Sequence, residues 1–524
     1  MRSTLYIHPC QQPSDSPPIT MLTGTSPYHL HLAQNAALIL VSLSFLPLST
    51  LVLFFSYAIS PLVRSHDALR KHNSSNATFR PRTILVTGVG MSKGLTLARA
   101  FYLAGHNVIG ADFQPHGIPP CGRFSRALRK FYALPKPDDS NGAAYYINAL
   151  LHIVQTEKVD LWVSCSGVAS AVEDGQAKEV LERKSNCGCI QFDVPTTSTL
   201  HEKDTFILET QRLGLPVPET HNVTSRAAVH KVLNESPRTK KRYILKSTGV
   251  DDESRNNIMT VLPRRTLSET YSHLSTIKIA QDKPWVLQEF VSGKEYCTHA
   301  LIVDDEVKAF VACPSLELLM HYEALPKDEP LSKAMLLFTR EFVGRSGGQW
   351  TGHLSFDFLV EERESEKGVD KGLVPIECNP RAHTAVVLFA GREGDMVEGY
   401  LGALKGKKRP NINGITNGDE LEKEPVSPIG RVKCYWIGHD LVTMVIYPLL
   451  YFLLRRITIS EYLGGVGTFL EHILFWKDGT YELWDPLPAW WLYHVYWPGQ
   501  FLACILQGRK WSRINVSTLK MFGC

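Results

Sequence analysis

Apolar side chains alternate with Ser355 and Asp357 over residues 355–360, and residues 373–378 form a second, largely apolar run beyond a polar stretch at 361–371. This pattern predicts two half-buried strands paired as a hairpin, on which Asp357, Glu377 and Asn379 can converge. Residues 83–87 read as a strand, 95–103 as a helix closed by Gly105, and 107–112 as a second strand, the opening of a β-α-β unit. A helix over 145–157 and a strand over 160–165 extend the same sheet. Residues 242–247 form a short apolar strand that delivers Lys246 near its end. Residues 36–59 carry no charge and are apolar almost throughout.

That last run is long enough, at ~1.5 Å per residue, to cross a ~30 Å hydrocarbon layer, so it predicts a transmembrane helix that tolerates Pro47. The rival reading, a cleaved signal peptide, fits less well because the run starts late and only Arg2 precedes it as a basic residue. Arg64, Arg70, Lys71, Arg80 and Arg82 follow it, which places the body on the cytosolic side and leaves the sequons at Asn73 and Asn76 unused. Near the other end, residues 441–454 are apolar but short for a span. Trp484, Trp490, Trp491, Tyr493, Tyr496 and Trp497 then crowd together ahead of Arg509, Lys510 and Arg513. Aromatics beside basic residues suit a headgroup interface, with a buried accessory core as the alternative.

Composition narrows the function. At 524 residues the chain can build two or three cores, and 56 basic against 52 acidic residues offer no electrostatic case for nucleic acid. The 11 cysteines include no C-x-x-C pair, and Cys187-Gly188-Cys189 is the one close doublet, so reduced thiols are expected and no zinc site. H-E-x-x-H does not occur, which removes support for metalloprotease chemistry.

The predicted hairpin carries the strongest chemical signal. Asp357, Glu377 and the amide of Asn379 form a hard-oxygen set suited to Mg²⁺, and Arg381 adds a planar fork for phosphate or carboxylate. Together with residues 200–206, 213–220, 242–247 and 285–296, this region resembles the ATP-grasp superfamily over roughly residues 83–402. The segment Glu377-Cys378-Asn379-Pro380-Arg381 is similar to the E-x-N-P-R variant of carbamoyl phosphate synthetase-like members. The resemblance implies an α/β protein: an ATP-grasp fold preceded by a Rossmann-like α/β domain, here with an N-terminal transmembrane helix and a hydrophobic, aromatic C-terminal region. It implies Asp357, Glu377 and Asn379 as metal ligands and Lys203 and Lys246 as phosphate lysines. Gln288 and the main chain at Glu289, Phe290 and Val291 would address adenine, with Phe290 on its face, Glu295 on the ribose and Arg381 as the catalytic cation. ATP and Mg²⁺ are the implied cofactors, and a small carboxylate and an amine the implied substrates.

Two departures stand out. The phosphate-covering segment 248–257 is acidic with one glycine, leaving Ser254 and Arg255 as its phosphate donors, and Ser355 stands where D-alanine-D-alanine ligase-like members carry a basic residue. The expected organisation is an N-terminal segment 1–79, a pre-grasp domain 80–199, the grasp 200–404, a linker 405–430 and a membrane-associated region 431–524.

Other readings remain open. Gly88-Val89-Gly90 with Asp112 is compatible with a dinucleotide turn and a nicotinamide-dependent reductase, although Lys93 stands at the third-glycine position and Gly94 follows it. Residues 164–167 end a strand where open sheets present ligand loops, or form an ordinary turn. His321 and His383 are pocket candidates. A catalytically silent membrane scaffold of grasp ancestry is the third possibility.

Overall fold

The computed structural model describes residues 22–62, 70–71, 75, 79–137, 142–165, 167, 170–235, 241–247, 261–281, 285–315, 320–361, 372–404 and 424–524. The predicted phosphate cover at 248–257, Asn73, Asn76, Ser166 and most of the 405–430 linker lie outside these residues.

Strands β1 (Thr83–Thr87), β2 (Asn107–Asp112), β3 (Leu128–Ala133), β4 (Leu161–Val163) and β5 (Gly188–Ile190) form a parallel sheet in the order β3-β2-β1-β4-β5. Ile84, Leu85 and Val86 are all fully buried, as expected where helices cover both faces of a parallel sheet. The alternation sorts their side chains. Leu85 packs with Leu150, Trp162 and Leu181, whereas Ile84 and Val86 join a cluster that also contains Leu301, Tyr400, Trp436 and Trp511. One continuous core therefore joins the first sheet to residues four hundred positions away in sequence.

A second sheet, antiparallel and ordered β6-β9-β7-β8, comprises β6 (Thr220–Val223), β7 (Tyr243–Ser247), β8 (Val261–Leu262) and β9 (Trp285–Glu289). Helices Arg226–Glu235 and Leu267–Thr276 cover one face through Val229 and Leu274, leaving the Lys246 face open. The third sheet is built by β10 (Gly293–Val303), β11 (Glu306–Pro314), β13 (Gly352–Glu361) and β14 (Leu373–Asn379), antiparallel in the order β11-β10-β13-β14. Asp304 and Asp305 make the tight β10–β11 turn with φ of 49° and 64°, the left-handed pair that a two-residue hairpin demands. Strand β12 (Tyr322–Glu323) leaves this sheet and pairs with β15 (Lys433–Tyr435), which pairs in turn with β16 (Lys477–Asp478). A last hairpin joins β17 (Trp511–Asn515) to β18 (Lys520–Gly523).

The apolar run is a helix over Tyr28–Ile59, longer than the predicted 36–59 and long and apolar enough to cross a membrane. Its polar side chains are not scattered. Asn35 accepts from Trp511 Nε1 at 2.8 Å, Ser42 donates to the Tyr493 carbonyl at 2.8 Å, Thr50 accepts from Trp490 Nε1 at 3.1 Å, and Ser56 meets Tyr481 Oη at 2.7 Å. Steps of six to eight residues are about two helical turns, so all four lie on one stripe. The opposite surface, including Leu40, Leu43, Leu51 and Phe54, is exposed.

The aromatic C-terminal region differs from its headgroup-interface reading. Trp484, Tyr496, Trp497, Phe501 and Trp511 are buried, because they cover the stripe of the long helix and the first sheet. Aliphatic residues such as Leu449, Leu453, Leu470 and Leu474, together with Phe475, carry the exposed apolar surface instead.

Candidate functional site

Strand β13 turns Leu354, Phe356 and Phe358 into the core, where the last two pack edge-on against Phe338 at 5.2 and 5.1 Å. Alternation then sends Ser355 and Asp357 to the opposite face. Register places Asp357 opposite Glu377 and Ser355 opposite Asn379. Asn379 Nδ2 donates to Asp357 Oδ2 at 3.2 Å, and Arg381 Nη2 donates to Asn379 Oδ1 at 2.7 Å. Asp357, Glu377 and Asn379 thus present only oxygen donors plus one amide nitrogen, a set that fits Mg²⁺ with water and phosphate completing its shell.

Lys246 reaches this place from the open face of β7. Lys246 is half-buried, and its ammonium donates to Gln288 Oε1 at 2.8 Å and has its pKa brought down to about 8. Burial is the main cause and the charge of Lys203 adds to it, while Glu377, Glu295 and Asp357 oppose both. Two lysines and three carboxylates from separate blocks of the chain therefore act on one another. Lys203 opens the helix Lys203–Arg212, with Glu202 at its cap.

The remaining expected nucleotide contacts are arranged less simply. Gln288 is 3% exposed, and besides accepting from Lys246 it donates to Thr220 Oγ1 at 3.3 Å, so its side chain is engaged within the second sheet. Glu289 points to the other side, where its carboxylate accepts from Lys241 at 3.1 Å and from the Glu219 amide at 3.3 Å. Phe290 lies 5.1 Å from the Arg242 guanidinium, and its amide donates to the Arg242 carbonyl. Val291 is buried, and the exposed Glu295 accepts from Ser315 Oγ at 2.7 Å.

Sequence reasoning missed two residues beside the β13–β14 hairpin. His201 is held below the usual imidazole range by burial, with Arg381 and Lys203 pushing the same way and Glu202 and Glu377 opposing. Its Nδ1 is buried without a hydrogen-bond partner among the described residues. Its position two residues before Lys203, at the end of the preceding helix Val194–His201, was the available signal. Lys93 is 1% exposed and donates to the Ala382 carbonyl at 2.9 Å, tying the first sheet to the residue after Arg381. Burial, followed by the Arg381 charge, brings its pKa down to about 7.

The glycine turn is closed by the protein itself, which corrects the dinucleotide reading. The Gly90 amide donates to Asp112 Oδ2 at 2.7 Å, so the candidate ribose acid is already spent on the turn. Cys121 Sγ donates to the Gly90 carbonyl, and the Ser92 amide at the helix start donates to the Ser517 carbonyl. A Cβ on Gly90 would meet Pro120 at 2.6 Å and Leu519 at 2.9 Å, and one on Gly94 would meet the Gly88 carbonyl at 2.2 Å. The glycines serve close packing. Ser164 donates to Asp174 at 2.8 Å inside the same buried layer.

Neither candidate histidine stands in a pocket as an acid or base. His383 caps the Ala385 amide through Nδ1 and is pushed down to about 3 by burial, which keeps it neutral. His321 Nε2 pairs with Asp440 Oδ1 at 2.9 Å while His472 Nδ1 pairs with Asp440 Oδ2 at 2.6 Å, all three buried. This triad clamps β12 to the C-terminal region. Asp440→Asn leaves the imidazoles one anionic partner short and is expected to cost about 3 kcal/mol, read as a lower urea midpoint. An unchanged midpoint would remove the clamp role.

No family model and no curated protein matches the sequence. Among solved structures, the chain is similar to biotin carboxylase from Campylobacter jejuni in a nucleotide complex, with 15% identity, TM-score 0.46, and 63% of this chain and 72% of that one covered. It is similar also to N5-carboxyaminoimidazole synthetase from Staphylococcus aureus complexed with ADP, with 15% identity, TM-score 0.43, and coverage of 63% and 79%. A third similarity is to L-amino acid ligase from Bacillus licheniformis, with 14% identity, TM-score 0.41, and coverage of 63% and 75%.

Proposed function

We propose that the protein is an ADP-forming ligase of ATP-grasp type that activates a small carboxylate as an acyl phosphate and joins it to an amine. The observation that carries this reading is the convergence of Lys203 and Lys246 with Asp357, Glu377, Asn379 and Arg381, supplied by two sheets and a helix start. Such a site holds a phosphoryl group in flight without providing a nucleophile or a hydride path.

In this reading the phosphates take the place of Gln288 at Lys246, and Lys203 holds them from the helix start. Asp357, Glu377 and Asn379 hold Mg²⁺, which neutralises phosphate charge when bound. Arg381, released from Asn379, neutralises the carboxylate or its acyl phosphate. Main-chain groups at Glu289, Phe290 and Val291 offer the adenine edge, Phe290 its face, and Glu295 the ribose contact. Lys93 positions the Arg381 loop through Ala382. Segment 200–404 is the catalytic unit, preceded by the domain 80–199. The membrane-tethered segment 1–79 and the C-terminal region 431–524 keep the body at the cytosolic surface.

The reaction class is tested by trapping. An acyl phosphate is electrophilic at carbon, so hydroxylamine should convert it to a hydroxamate in amounts equal to the ADP formed, without AMP. Lys246→Ala should suppress ADP and hydroxamate together. AMP with pyrophosphate would replace the reading by adenylation, and a stable phosphorylated product would replace it by a kinase. ADP formation also separates a working ligase from a silent scaffold.

A further inference from the structure

A cavity of about 1410 Å³ lies between the helix Tyr28–Ile59 and the C-terminal region, larger than the ~300–1,000 Å³ of ordinary small-molecule pockets. Leu38 and Phe45 of the long helix, Val442 and Ile446 of the helix Ile437–Leu453, and Trp490 and Trp497 supply apolar walls. Apolar walls alone would leave a gap for any lipid tail. Polar atoms in the lining narrow the choice. Trp497 Nε1, His439 Nε2 and Gln34 Oε1 all belong to lining residues, are buried, and lack a hydrogen-bond partner among the described residues. Trp497 is 4% exposed, and its indole can only donate, so its missing partner is an acceptor atom. Arg513, which also lines the cavity, adds a cation stacked 4.2 Å from the Phe522 ring.

The cavity also has a direction. Its outer side is formed by the exposed lining residues Leu48, Val52, Leu450 and Leu454, through which an apolar chain can enter from a bilayer. Its inner side includes Asn515 and Val516 at the end of β17. The next residue, Ser517, meets Thr384 Oγ1 at 3.3 Å and accepts from the Ser92 amide beside Lys93. Thr384 is three positions beyond Arg381. One turn of chain therefore separates the cavity from the loop that carries the proposed catalytic cation.

We propose that this cavity binds a single-chain amphiphile with a carboxylate head, and that this long-chain carboxylate is the substrate the ligase activates. The proposal rests on the ligase reading for the substrate role but not for binding. The carboxylate supplies the acceptor oxygens that Trp497 lacks and the anion that Arg513 favours, and it is the group the neighbouring site would phosphorylate. A phosphatidylcholine fills the apolar walls equally well but brings no carboxylate to Arg381.

The test uses the full chain in detergent and a dibrominated stearate, whose bromines quench nearby indoles. Tryptophan fluorescence should fall saturably, recover on adding unbrominated stearate, and not recover with phosphatidylcholine. Filling the cavity with Val442→Phe and Ile446→Phe should weaken binding at least tenfold, and Trp497→Phe should weaken it without adding bulk. Lys246→Ala should leave quenching unchanged. With ATP and hydroxylamine, stearate should give stearohydroxamate and ADP. Quenching that never saturates, or that phosphatidylcholine reverses as well as stearate, overturns the site, and hydroxamate from short carboxylates would then show the ligase reading still standing. Saturable quenching with hydroxamate from short carboxylates only overturns the substrate assignment. Absence of hydroxamate from every carboxylate rejects the ligase reading and the substrate role with it, while the quenching result still decides the binding site.

Discussion

Glu377→Gln is expected to lower ADP formation by about 10²–10³-fold or more, the scale of losing one preorganised electrostatic group at a reacting centre. The substitution keeps the shape of the side chain and removes one anionic oxygen ligand from the set with Asp357 and Asn379. It acts on a second group as well. Glu377 is the largest of the charges that hold the half-buried Lys246 ammonium protonated, so its loss brings the lysine further down from about 8 and weakens phosphate binding. Folding should survive, because β14 is held by its backbone register with β13 and Glu377 is only half-buried. A polar substitution of that kind moves stability by about 0.5 kcal/mol. Thermal unfolding and ADP release measured on the same preparation check both halves, and undiminished ADP formation would remove the metal assignment.

Removing residues 1–79 is expected to do more than release the protein from membranes. The four side-chain hydrogen bonds from Asn35, Ser42, Thr50 and Ser56 to the C-terminal region would be lost together. At ~0.5–1.5 kcal/mol each they amount to about 2–6 kcal/mol, a large share of the ~5–15 kcal/mol that holds a typical domain folded. Trp490, Tyr493 and Trp511 would lose their cover at the same time. A chain beginning at Arg80 should therefore aggregate without detergent and unfold at lower temperature with it, whereas the full chain should resist carbonate extraction. Replacing the four polar residues by leucine separates the two roles: insertion should persist while the C-terminal region loosens to protease. A monodisperse, detergent-free 80–524 chain with an undiminished melting temperature would rule out the docking role.

Short-range periodicity made much of the architecture legible. Strands β1 and β2 coincide with the predicted 83–87 and 107–112, the helix predicted at 145–157 occupies Ala144–Glu157, and β13 and β14 enclose the predicted 355–360 and 373–378. The convergence of Asp357 with Glu377 was readable because a two-residue period fixes the face and a hairpin brings the strands together, whereas the partner residue came from the register. The long apolar helix was readable from composition, but not which of its faces is used. Asn35, Ser42, Thr50 and Ser56 become a docking stripe only when Tyr481, Trp490, Tyr493 and Trp511 are placed opposite them.

The same limit applies to the glycine turn. Its spacing suggested a phosphate loop, and its closure depends on Pro120, Cys121, Ser517 and Leu519, two of them some four hundred residues away. Lys93 and His201 were passed over for a related reason, since their depressed pKa values come mainly from burial, and Arg381, which pushes both down, is remote from each in sequence. Local patterning decided which residues could share a face. Long-range packing, whose contacts leave no periodic trace in the chain, decided which faces met, which polar groups were already satisfied, and where a cavity remained.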